Sequence, residues 1–118
     1  MFTYRNVNPN KFDIEDCTVR AISTIEGISW DKAYEKLSYY ARKMGLMMSS
    51  VEFIEHYLDK RYPRKCHYDI TVGQFAKDHP KGKYLVTMPG HITAIKNGVI
   101  IDTFDCSDRM MWCSWKVI

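Results

Sequence analysis

Gly90-His-Ile-Thr-Ala-Ile-Lys-Asn-Gly-Val-Ile-Ile-Asp-Thr-Phe104 is the stretch on which the fold turns. Two runs rich in β-branched residues flank Asn97-Gly98, a pair that readily supplies the positive φ angles of a type I′ turn. A two-residue loop there sets the pairing. Lys96 opposes Val99, Ile95 opposes Ile100, Thr93 opposes Asp102, and His91 opposes Phe104. Side chains alternate across a sheet, so His91, Thr93, Asp102 and Phe104 share one face. Asp102 becomes the diagonal neighbour of His91, at roughly 7–8 Å between backbones. Asp105 falls opposite Gly90 on the other face, and a one-residue slip or a bulge would exchange the two carboxylates.

Outward from this hairpin, Tyr84–Met88 reads as a strand that reaches His91 through the tight turn Pro89-Gly90. Met110–Ile118 reads as the last strand, with Trp112 and Trp115 on opposite faces. The first half of the chain carries a different period. Val19, Ile22 and Ile25 repeat at helical spacing from Cys17 to Glu26, with Asp16 as N-cap and Gly27 closing the helix. Ser29 caps a second helix through Met44, whose stripe is Trp30, Ala33, Tyr34, Leu37 and Ala41. Ser49 and Glu52 form a capping box for a third helix that must stop by Pro63. Thr71 and Gln74 open a short fourth helix ending near Pro80. Residues 1–15 show no period and read as an irregular lead-in. Helices first and strands second predict one α+β domain with a small antiparallel sheet.

Composition bounds the function. The chain has 118 residues, 46% hydrophobic and 14% aromatic, enough for a core and too much for a disordered chain. A formal charge of +3 is too weak by itself to argue for nucleic acid or an anionic membrane. No stretch approaches the ~18 apolar residues of a membrane span, and no secretion signal is visible. The expected location is therefore cytoplasmic, with Cys17, Cys66, Cys106 and Cys113 all reduced and the last three packed in the interior. No C-x-x-C pair occurs and the Cys/His spacings fit no zinc template, so neither a metal nor an organic cofactor is expected. His56, His67 and His79 read as solvated. The run Lys60-Arg-Tyr-Pro-Arg-Lys-Cys-His-Tyr68 interleaves cations and rings that could contact phosphate, but reads more simply as a solvated helix end.

Thiol chemistry needs a thiolate, an imidazole that reaches it, and a polar group that orients the ring. Cys17 opens the first helix, exposed to unpaired N–H groups; His91 opens a strand; Asp102 ends the next. A charge on neighbouring Asp16 opposes the thiolate unless Asp16 is absorbed as a cap.

That chain order resembles the papain-like cysteine peptidases: Cys at the head of the first helix, Gly-His opening a strand, then an Asn or Asp followed two residues later by a covering aromatic. On this resemblance Asp102 takes the orienting position and Phe104 covers it. The stretches Asp16–Ser23, Gly27–Tyr34, Thr71–Gly82 and Gly90–Ala94 are also similar to small proteins of phages and bacterial mobile elements. The resemblance implies a minimal papain-like core, peptide or amide substrates, and a place in the cytoplasm of a bacterial host. Papain-like enzymes usually carry a Gln six residues before the nucleophile, where Lys11 stands here. The oxyanion donors would then be Asn8 or Asn10 with the Cys17 backbone N–H. Two rivals stand beside the hydrolase: an inactive interaction module that binds and blocks a host protein, and a nucleic-acid-associated protein using the basic run.

Overall fold

The computed structural model describes residues 1–10 and 16–117. In chain order the elements are β1 (Phe2–Tyr4), α1 (Cys17–Glu26), α2 (Trp30–Met44), α3 (Val51–Asp59), β2 (Arg64–Cys66), α4 (Val72–Asp78), β3 (Lys83–Met88), β4 (His91–Lys96), β5 (Val99–Asp102) and β6 (Cys113–Val117). The class is α+β. The strands form one sheet in the order β1-β5-β4-β3-β6-β2. The β4–β5 hairpin has the register that the Asn-Gly turn dictates, with Ile95 opposite Ile100 and Lys96 opposite Val99. Asn97 and Gly98 both take positive φ, 52° and 76°.

Helices cover both faces. Leu85, Ile92, Ala94, Trp115 and Val117 meet α1, α2 and α3 through Val19, Ile22, Leu37, Phe53 and Leu58. On the other face Val86, Met88, Ile95 and Ile100 meet α4 through Val72 and Phe75. Alternation along β3 and β4 divides their residues between these two cores, so each strand is apolar on both sides.

Helix ends follow local chemistry. Ser29 Oγ accepts from the Lys32 N–H, and Gly45 closes α2 in the left-handed region. Thr71 caps α4 through the Gln74 N–H. Two caps differ from expectation. The cap of α3 is Ser50, which accepts from the Phe53 N–H, so the box starting at Ser49 is displaced by one residue. Asp16 has no cap bond at all, because its carboxylate is committed to other side chains.

Further corrections concern the sheet and the thiols. It is mixed rather than antiparallel, since β1 pairs in parallel with β5. Phe2–Tyr4 is thus a strand inside the supposed irregular lead-in. Part of the basic run is the edge strand β2, paired with β6. Two of the run's cations are engaged: Arg64 pairs with Glu55 and Asp59, and Arg61 lies 3.8 Å from the Tyr57 ring centre. The register sets Cys66 directly opposite Cys113 with Cα atoms 3.9 Å apart, and the two form a disulfide, contrary to the all-reduced expectation. β6 begins only at Cys113, so Trp112 precedes it. His79 is not simply solvated, for its ring stacks on Phe75 at 3.9 Å and its Nδ1 bonds the Phe75 carbonyl. Among the described residues, no helix is long and apolar enough to cross a membrane.

Candidate active site

Cys17 is the first residue of α1, and α1 packs across β4, whose first residue is His91. The Cys17 thiol hydrogen-bonds the His91 imidazole and takes a second bond from the Ile92 backbone N–H. The other side of the ring is held by Asp102: Nε2–H donates to Oδ2 at 2.6 Å. With Nε2 so engaged, Nδ1 is the nitrogen left to face the thiol. Thr93 Oγ1 donates to the same Asp102 oxygen at 2.6 Å, and the Thr103 N–H donates to Oδ1 at 2.7 Å. The Phe104 ring lies over His91, with centroids 4.7 Å apart. These contacts fix ring position from three directions.

The electrostatics favour an ion pair. Burial alone would raise the Cys17 thiol. The His91 hydrogen bond, the Ile92 N–H and the positive charges of His91 and Arg20 outweigh it, leaving the thiol below its usual 9.0. Burial alone would depress His91, yet the hydrogen bonds and charges of Asp102 and Cys17 carry it up to about 9. Burial likewise opposes ionisation of Asp102, and its bonds to His91, Thr93 and Thr103 still hold it below 3.8. The His91 and Asp102 side chains are 6% and 5% exposed, so little water screens the pair.

Asp16 sits one residue before Cys17, and its charge is absorbed by side chains. Oδ2 accepts from Asn8 Nδ2 and Trp30 Nε1, both at 3.0 Å, while Oδ1 pairs with Arg20. Arg20 also reaches Asp102, with Nη2 3.6 Å from Oδ1. One guanidinium therefore spans the carboxylate beside Cys17 and the carboxylate behind His91. No periodicity marked this role, but Asp16 immediately before α1 and Arg20 within it stand at i and i+4, the spacing of an ion pair.

The remaining candidates are placed differently. Asp105 is exposed and its Oδ1 accepts from the Ser107 N–H, so it caps a turn and does not orient the ring. Asn8 is buried, with its amide on Asp16 and its Oδ1 accepting from the Asn10 N–H. Asn10 is exposed. Neither is among the described residues lining the cavity at Cys17. Lys11 lies outside the described residues. Asp16 places no side-chain cap on the first-turn N–H groups of α1.

That cavity, about 80 Å³, is walled by Ser49, Val51, Ile54, Met88 and Trp112 with Cys17 and His91 at its base. Ser49 also borders a second cavity of about 230 Å³ formed with Thr18, Tyr34, Met47 and Met48. Cys106 is a component the sequence did not suggest. It is fully buried, and its sulfur and the ligand atoms of His91 and Asp102 all lie within 4.8 Å of one another. A thiophilic cation accepts such a donor set. Two features oppose one here. Burial and the Asp102 charge push the Cys106 thiol up to about 11, and the Arg20 guanidinium already faces Asp102.

No known family, curated protein or solved structure matches this chain.

Proposed function

We propose that the protein is a cysteine hydrolase acting by thiol acyl transfer on a peptide, isopeptide or amide bond. The observation that carries this reading is the continuous bonded chain from the Cys17 thiol through His91 to Asp102, opening on an apolar cavity. The Cys17 thiolate attacks the carbonyl carbon, and the carbonyl electron pair moves to oxygen, which the Cys17 N–H receives. Collapse expels the amine, which leaves with the His91 proton. Water then attacks the thioester, gives a proton to His91, and frees the acid and the thiolate. Asp102 keeps the ring oriented and stabilises its cation. The same fold reading carries the papain-like likeness and a bacterial host setting from the sequence resemblance. The Cys66–Cys113 disulfide argues against a strongly reducing location.

Substoichiometric iodoacetamide at neutral pH tests the proposal. Cys17 should be modified selectively, and His91→Ala should slow the reaction at least tenfold. Slow alkylation of Cys17 at the rate of an ordinary thiol overturns it.

One observation favours a second reading, an inactive module that binds and blocks a host protein: the cavity over Cys17 is small, about 80 Å³. A partner protein would then cover the site rather than be cut. A thiol that reacts selectively but releases no product from any peptide library supports this module.

A further inference from the structure

We infer that Arg20 is a positioning residue of this site, the counter-cation that lets an aspartate rather than a neutral amide stand behind His91. The inference rests on the proposed thiol chemistry for its meaning and on geometry for its support.

An orienting aspartate poses a problem. Together with Asp16 it places two carboxylates near a sulfur that must become an anion, and like charges disfavour one another in a partly buried setting. Arg20 answers both. It lies three residues after Cys17, on the same face of α1. Nη1 pairs with Asp16 Oδ1, and Nη2 stands 3.6 Å from Asp102 Oδ1. Its side chain is 13% exposed, and its Nε has no hydrogen-bond partner. A buried guanidinium with an unsatisfied donor is held by its two anions, because burial without them is strongly unfavourable. The planar fork reaches both carboxylates at once, which an ammonium cannot do.

Among the described residues, the charged and titratable groups around it are those of this cluster, with the buried Cys106 thiol beside Asp102. Asp16 precedes α1, Cys17 is on α1, His91 is on β4 and Asp102 on β5. Arg5, following β1, borders with Cys17, Arg20 and Asp102 a separate crevice of about 10 Å³, and donates its backbone N–H to the Asp102 carbonyl at 2.8 Å. With Asp16, Asp102 and the thiolate as anions, and Arg20 and His91 as cations, the reactive state carries one net negative charge before Arg5 is counted. Removal of Arg20 would raise this to two, and the thiolate would feel the difference directly. Arg20 touches no reacting atom, so its effect passes through Cys17 and Asp102.

The test is a cycle of Arg20→Gln, Asp102→Asn and the double variant, with Arg20→Lys as the conservative control. Two readouts are taken across pH: the iodoacetamide rate constant of Cys17, and the carboxyl titration of Asp102 by carbon NMR. Arg20→Gln should move both midpoints upward and slow alkylation at pH 6.5 about tenfold, the size of one charge-assisted contact. Arg20→Lys should restore part of the effect. In the Asp102→Asn background, Arg20→Gln should have a smaller effect, since one of its two anions is gone. A structural role alone would change thermal stability without moving a midpoint. Unchanged midpoints in folded Arg20→Gln overturn the inference; if that variant does not fold, Arg20→Met, which keeps the apolar stem and removes the charge, takes its place, and unchanged midpoints there overturn it equally. The two hypotheses fail separately. An unreactive wild-type Cys17 defeats the hydrolase reading, while the Asp102 titration still decides the role of Arg20.

Discussion

Asp102→Asn removes a charge while keeping the shape of the group behind His91. In the wild type the imidazole rises from 6.5 to about 9, although burial pulls it the other way. At about 1.36 kcal/mol for each pH unit, that rise corresponds to roughly 3 kcal/mol in favour of the cation. Cys17 supplies part of this rise as well, so about 3 kcal/mol is the upper end of what Asp102 contributes. An asparagine oxygen can accept one hydrogen bond but offers no charge, so with only Cys17 left to support its cation His91 should titrate well below 9. The sign follows from linkage. A raised folded pKa gives stability that is complete below 6.5 and lost as pH rises through about 9. Asp102 itself, held below 3.8, contributes above that value and loses its share as pH falls through its depressed pKa. Relative to Asp102→Asn, the wild type should therefore be more stable by up to about 3 kcal/mol at pH 6. The gap should narrow as pH passes 9. Nitrogen NMR of the His91 ring gives the midpoint, and urea unfolding at pH 6 and pH 10 gives the gap. A variant whose His91 still titrates near 9, or a gap that stays flat with pH, refutes the account.

Three other outcomes follow from the same contacts. Because His91, the Ile92 N–H and Arg20 together overcome burial, the alkylation midpoint of Cys17 should lie below pH 9, measured by mass spectrometry of the modified peptide; a midpoint at or above 9 contradicts it. Trp30→Phe removes a buried N–H donor from Asp16 and should destabilise the protein by about 1–3 kcal/mol in urea unfolding. A change too small to measure would show that Asp16 does not depend on it. Oxidised protein, denatured and titrated with a thiol reagent, should show two free thiols, Cys17 and Cys106, and four after reduction. Four thiols before reduction would exclude the bridge.

Legibility in the sequence followed interaction range. The hairpin announced itself because Asn-Gly restricts both backbone and register within a dozen residues, and α1 and α2 did so through apolar period and glycine ends. Strands β1 and β2 have three residues each, too few for any period, and their partners stand far along the chain. Pairing at such distance is decided by the assembled sheet, and so is the Cys66–Cys113 bridge. Asp16 was misread because capping is a local habit, whereas its real partners, Asn8 and Trp30, arrive from tertiary packing. Cys106 gave no sign, since a lone cysteine in a loop looks the same whether it packs against leucine or beside a carboxylate. The candidate trio was legible for the opposite reason. Two of its members lie on one hairpin, and the third needs only a helix start.

The parallel seam between β1 and β5 bears on how the molecule comes into being. Tyr4 lies opposite Asp102, so β1 finds its partner only after most of the intervening fold has been made. Until that late hairpin emerges, the nascent chain has neither an imidazole for its sulfur nor a mate for its opening strand. Chains cut short before His91 should therefore leave Cys17 with the reactivity of an ordinary thiol.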